Sequence, residues 1–313
     1  MILECGVRLF LPRYVPCEAV VFHMEGGVPL GQKNHVGRHT NNTTDYDVTV
    51  RINAYGFRDA KDLKDSREEN FFVVGDSFGF GWGVQEEDRY SNLLASMLGT
   101  DVYNISVPTD IEGYEKLVKY ARAQGATIAN LIVGVCMEND LRDYRVRASE
   151  NAAAGEDRKF LSVKSWLTRR SAAYNAIKNM VHESGPLKRL ALKLRLITRL
   201  ADRVARQSYS RALVESSVDR LTEMVADCGM ARVVVVVVPS RRLWMGDDRD
   251  MYSRIHNEFV ALAKDRGLAV VDLRAALEEG GDPLRYHFQY DGHWNKQGHC
   301  KAAEEIAEVL RPL

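Results

Sequence analysis

Six consecutive valines, Val233–Val238, leave this chain little choice of fold. β-Branched side chains favour extended backbone, and a run without polar alternation is dry only if both faces are covered. A central strand of a parallel sheet, with helices above and below, meets that demand. Four further short apolar runs, Phe71–Val74, Val102–Ile105, Asn130–Val135 and Ala269–Leu273, read as companion strands. Helical periodicity fills the gaps near 87–98, 111–124, 209–228 and 249–266, and a last helix is expected near 297–310. The expectation is a three-layer α/β sandwich around a parallel sheet of about five strands, flavodoxin-like in outline, with its functional loops at the C-terminal edge of the sheet.

Two segments stand outside that rhythm. Residues 1–69 are expected to form a β-rich extension packed on the core, because Tyr46–Ile52 alternates at period two before the turn-like Asn53-Ala54-Tyr55-Gly56. Residues 70–313 then form the main domain, interrupted at about 145–208 by a helical insertion. From Arg158 to Arg211 fourteen Lys/Arg face only Glu183 and Asp202, a net +12 within a chain of 43 basic and 43 acidic residues. Along 186–206 apolar residues fall mainly on one helix side and basic ones on the other. That segment reads either as a lid packed on its own domain or as a surface for an anionic substrate, carrier or membrane.

Overall neutrality removes a general electrostatic case for nucleic acid as partner. Five scattered cysteines with no CxxC pair give neither a disulfide framework nor a zinc site. The N-terminal MILECGVRLFLPRY is interrupted by Glu4 and Arg8, and no apolar run approaches the roughly 20 residues of a membrane span. The sequence as given therefore reads as cytoplasmic, with peripheral membrane association open.

Four segments at the expected sheet edge carry chemistry. Gly75-Asp76-Ser77 follows the first strand, where a serine is exposed and the next N–H groups can meet an oxyanion. Asp291-Gly292-His293-Trp294 precedes the last helix and supplies a base with a carboxylate two residues away, on the same side if the segment is extended. Asn139-Asp140 follows the third strand and offers a side-chain amide. Asn104 to Thr109 follows the second. Each has a plainer alternative: a capped turn, a solvated histidine or an Asx turn. Gly79, Gly81 and Gly83 lack dinucleotide-binding spacing, and His287, His293 and His299 do not share one helix face as metal ligands would.

Together, in this order, the segments resemble the SGNH hydrolase superfamily of GDSL esterases and lipases. Asn53–Asp59 and the D-x-H-W run Asp291–Trp294 are similar to a bacterial branch that includes sugar O-acetyltransferases. The resemblance implies a Ser77 nucleophile, His293 as base and Asp291 as its orienting acid, with Ser77, Thr109 and Asn139 forming the oxyanion hole. Thr109 stands where the family usually has glycine, and a single residue rather than two separates Asp291 from His293. Asp76, Arg58, Asp140 and Trp294 are candidate pocket or supporting residues, with an ion-pair role open for Arg58 and Asp140. The implied activity is hydrolysis of a short-chain ester, carbohydrate or other small molecule. Acyl transfer to a sugar or other hydroxyl, and non-catalytic binding on the same scaffold, are the alternatives. Neither a metal nor an organic cofactor is implied.

Overall fold

The computed structural model describes residues 2–16, 20–41, 45–144, 167, 170–193 and 210–311. Helix α1 (Ile2–Phe10) is followed by two antiparallel hairpins, β1 (Phe22–Glu25) with β2 (Val28–Gly31) and β3 (Val36–Thr40) with β4 (Asp47–Arg51). The main domain begins at β5 (Phe71–Gly75) and runs through α2 (Ser77–Phe80), α3 (Tyr90–Leu98), β6 (Val102–Asn104), α4 (Ile111–Ala123) and β7 (Asn130–Cys136). Helices α5 (Ala172–Glu183) and α6 (Gly185–Lys193) lie in the insertion. Then come α7 (Arg211–Cys228), β8 (Arg232–Val238), α8 (Arg249–Asp265), β9 (Val270–Asp272), α9 (Arg274–Glu278) and α10 (Lys296–Leu310).

The five strands β5 to β9 form one parallel sheet in the order β6-β5-β7-β8-β9. Its valine strand behaves as its composition demands. Val235 and Val237 join Phe72, Val74, Leu131 and Val133 in a core roofed by α4, α7 and α8. Val234, Val236 and Val238 join Val73 and Ile132 in a second core on the other face, beneath α3 and α10. Side chains of successive residues point to opposite faces, so both faces must be apolar and both are covered. Helix ends follow local chemistry: Asp110, Ser210 and Asn295 cap α4, α7 and α10 by accepting backbone N–H bonds, and α7 stops at Gly229, which takes the left-handed conformation (φ 57°).

The first 69 residues, expected to be β-rich, contain two hairpins and α1 as well. In β4 the alternation is realised: Val48 and Val50 point inward with Ile52 and pack with Phe80 of α2. This brings the extension to the C-terminal edge of the main sheet. Helix α1 pairs with α5 around a small separate core of Val7, Tyr14, Ala172 and Ala176. Glu4 accepts the backbone N–H groups of Ala172 and Ala173 and the Ser171 hydroxyl, which holds its carboxyl down to about 2. The helix expected over 186–206 is present as α6 through Lys193. Residues 194–209, and most of the basic stretch from 158, lie outside the described residues.

Candidate active site

The strand β5 ends at Gly75, and the chain turns sharply into the four-residue helix α2 with Ser77 as its first residue. Asp76 caps that helix, its Oδ1 accepting the Phe78 N–H at 2.9 Å. Only glycine fits at 79: a Cβ there would lie 2.4 Å from Ser106 Oγ. Gly81 ends α2 with φ 81°, and a Cβ there would meet Arg89 Cδ at 2.8 Å. The three glycines after the strand therefore serve a tight turn, not a phosphate.

Opposite this turn, the loop between Tyr286 and α10 folds back on itself. Phe288 N–H donates to the His293 carbonyl at 3.0 Å, and His287 bridges to Trp294. At its tip Asp291 Oδ1 accepts both the His293 backbone N–H, at 2.9 Å, and the imidazole Nδ1. The two-residue spacing predicts both side chains on one side of an extended segment. The structure instead joins them through a tight turn in which the aspartate bonds the backbone two residues on. His293 Nε2 lies 2.8 Å from Ser77 Oγ, so serine, imidazole and carboxylate form one continuous relay. Burial pushes the Asp291 carboxyl up, but the bonds to His293 outweigh it and hold the group below its ordinary value. Asp291 is thus ionised at neutral pH.

Asn139, in the turn after β7, reaches the same place. Its Nδ2 donates to Asp76 Oδ2 at 2.9 Å. One of its two amide hydrogens is thereby used and the other remains for a ligand. Arg142 ties this turn to the loop after β6, donating to the Asn139 carbonyl (2.9 Å) and to Asp110 (3.1 Å). Thr109 precedes Asp110 in that loop, with Gly113 packed against its hydroxyl: a Cβ at Gly113 would fall 2.1 Å from Thr109 Oγ1.

The candidate supporting residues divide. Asp76 is in the site, buried beneath Ser77, and burial pushes its carboxyl up. Trp294 is not a pocket residue: it is 0% exposed, edge-on beneath Phe78 in the second core. Arg58 is likewise fully buried, donating to the carbonyls of Phe80, Gly81 and Val84 (3.3, 2.6 and 2.7 Å). It fixes the loop after α2 and does not enter the pocket or pair with an acid. Asp140 is buried too, accepting the Cys136 N–H (2.7 Å) and the Tyr114 hydroxyl, and so sets the turn that presents Asn139. All three are fully buried, and the contacts they make lie inside the fold.

The extension supplies a part of the site that sequence reasoning missed. Asp45 Oδ2 accepts the backbone N–H groups of Tyr290 (3.1 Å) and Asp291 (2.9 Å), holding the loop that carries His293. Beside it, Tyr46 accepts a bond from Trp82 Nε1 at 2.9 Å, and Trp82 stacks on the His293 ring at 5.6 Å between centroids. His39 packs on both Tyr46 and Trp82. Asp45→Ala leaves two backbone donors without their acceptor and frees the loop. We expect kcat on a soluble ester to fall roughly tenfold to a hundredfold with KM nearly unchanged, since a misplaced base costs rate before affinity. Asp45→Asn, which keeps an acceptor oxygen, should recover most of the loss; equal rates in all three proteins would refute the role.

Three buried histidines surround the site. Burial, helped by Arg58, holds His39 down to about 4; burial and Arg241 hold His287 to about 4; burial, Arg58 and Arg89 hold His299 to about 3. An unfolded chain protonates histidine near 6.5. Between about 4 and 6.5 the unfolded state therefore binds more protons, and stability rises with pH across that window. Each group contributes a slope of up to about 1.4 kcal/mol per pH unit. Urea midpoints should drop steadily from pH 6.5 to pH 4.5, and a flat profile would show that these side chains take up protons in the folded state.

Two clefts differ in their relation to this centre. The larger, about 640 Å³, lies at the opposite end of the sheet beside Asn70 and Asp101, far from the serine. The smaller, about 290 Å³, is lined by Glu138, Arg241, Arg242, Met245 and Tyr252. It adjoins the centre directly, because Glu138 precedes Asn139 and Arg241 Nη1 donates to the Asp291 carbonyl at 3.0 Å. Among the described residues no group of three or more His, Cys, Asp or Glu side chains is placed to hold a metal, and no helix is long and apolar enough to cross a membrane.

A five-stranded parallel sheet that brings a serine, a histidine and an aspartate together at its C-terminal edge is an arrangement suited to acyl transfer. Residues 198–313 match the family model described as the SGNH hydrolase-like domain of the acetyltransferase AlgX. No curated protein matches the chain. Similar solved structures include a lipolytic G-D-S-L family protein from Veillonella parvula DSM 2008, 12% identical, covering 78% of this chain and 99% of its own, with a TM-score of 0.47. A lipase/acylhydrolase from Enterococcus faecalis is 15% identical (78% and 98% covered, TM-score 0.42). An acetylxylan esterase from Geobacillus stearothermophilus is 11% identical (78% and 95%, TM-score 0.41).

Proposed function

We propose that this protein is a serine acyl hydrolase acting on a small O-acyl ester through a covalent seryl intermediate. The observation that carries the proposal is the unbroken relay from Ser77 Oγ to His293 Nε2 at 2.8 Å and from His293 Nδ1 to Asp291. Ser77 Oγ attacks the ester carbonyl carbon as its proton passes to His293 Nε2. Asp291 remains ionised and stabilises the imidazolium. The carbonyl oxygen, now negative, takes hydrogen bonds from the free Asn139 amide hydrogen and from backbone N–H groups at Ser77 and Thr109, each worth about 3 kcal/mol. Collapse expels the alcohol, which receives the proton from His293. Water then attacks the acyl-serine with His293 again as base, releasing the acid and restoring Ser77.

The same steps serve a transferase if a hydroxyl of a second molecule replaces water. The family model names an acetyltransferase, and the cleft of Glu138, Arg241 and Arg242 beside the nucleophile offers both carboxylate and guanidinium groups to a hydroxyl-rich acceptor such as a sugar. A fluorophosphonate should add once, on the peptide containing Ser77. Mass analysis of products from an acetyl ester, with and without added sugars, then separates free acid from acetylated acceptor. An unlabelled, folded protein would favour a binding role and overturn both readings.

A further inference from the structure

Large apolar side chains on the outside of this protein are not scattered. Among the described residues fifteen are exposed, and nine of them, Ile2, Leu3, Leu9, Phe10, Leu11, Ile177, Met180, Leu187 and Leu190, belong to the unit built from α1, α5 and α6. Isolated exposed leucines need no explanation, but a concentration of this kind marks a contact surface. In α1 the polarity is reversed relative to a helix folded onto a core. Glu4, Val7 and Arg8 turn toward α5, where Glu4 caps its first turn and Arg8 donates to the Arg170 carbonyl at 2.8 Å. Ile2, Leu9 and Phe10, which are 89%, 73% and 77% exposed, occupy the side left open.

The charge on this unit selects the occupant. Arg8, Arg170, Lys178, Arg189 and Lys193 are exposed around the apolar residues. Among the described residues, Lys178, Arg189 and Lys193 face no carboxylate. Glu4, the acid of α1, is committed to the cap of α5. A second copy of the same basic face would meet like charge with like. An apolar strip set among cations fits a bilayer surface that offers hydrocarbon at one depth and anionic headgroups at another.

We propose that α1, with α5 and α6, seats the protein on anionic lipid by inserting Ile2, Leu3, Leu9 and Phe10 at the headgroup boundary. The docking proposed is peripheral, with the nine described residues of α1 lying along the headgroup boundary. This role is independent of the serine chemistry. Flotation of the full chain with vesicles of phosphatidylglycerol and phosphatidylcholine in equal parts tests it. We expect the protein to float with these vesicles, to stay behind with phosphatidylcholine alone, and to be released by high salt. The double variant Leu9→Glu, Phe10→Glu should bind the mixed vesicles about tenfold more weakly or worse. Its circular dichroism spectrum and thermal midpoint should match those of wild type, which establishes that it folds. Flotation of the variant like wild type, failure of wild type to float, or equal binding to neutral vesicles overturns the proposal. A wild-type dimer that the variant dissolves also overturns it, by assigning the face to a second copy.

Discussion

Replacing Ser77 with alanine should lower ester turnover on the order of 10⁴-fold or more, with the fold and KM little affected. The side chain has no structural duty to lose. Asp76 and Gly81 define the turn around it, and its hydroxyl bonds only to His293. On the proposed mechanism what disappears is the nucleophile, and the oxyanion donors that remain can stabilise attack only by a poorly positioned water. His293→Ala should approach the same rate, and combining the two should add little, because the three groups act as one device. Full activity in Ser77→Ala would remove the covalent mechanism outright. A small loss of about tenfold would place the chemistry on another residue.

Arg58→Ala is expected to be the most damaging substitution for stability, at about 3–5 kcal/mol. The guanidinium makes three charge-assisted bonds to loop carbonyls and lies over the Phe80 ring at 5.5 Å, with no solvent exposure. Truncation leaves buried acceptors unpaired and a cavity where the side chain ran. Arg58→Lys should recover only part, since an ammonium cannot fork to carbonyls on either side of Gly81. Denaturant midpoints measured at one pH with unchanged m-values would check this. A cost below about 1 kcal/mol would mean that the loop closes by itself.

The layered core was legible because its signals are local. β5 to β9 and the long helices between them repeat on a scale of a few residues, where periodicity reports directly on burial. Ser77, His293, Asp291 and Asn139 were legible as a set because each follows a strand or precedes a helix at one sheet edge. Other features depend on contacts that no local pattern encodes. Tyr46 looked like a strand residue and Asp45 carried no signal, yet Asp45 meets Asp291 across 246 positions of chain. Trp294, Arg58 and Asp140 lie beside functional segments, and only their burial separates a supporting group from a lining one. The turn joining Asp291 to His293 is likewise set by the fold-back between His287 and Trp294, not by a strand.

The bond between Asp45 and the Asp291 loop also bears on when the protein becomes reactive. His293 follows Ser77 by 216 positions of chain, so a ribosome delivers the serine well before the histidine. The clasp that seats the histidine is made by a residue that has waited since before the serine emerged. A nascent or truncated chain thus exposes a serine of ordinary alcohol reactivity, incapable of acylating anything nearby. On the proposed mechanism the serine is activated only once the extension at Asp45 and the loop at Asp291 close on each other.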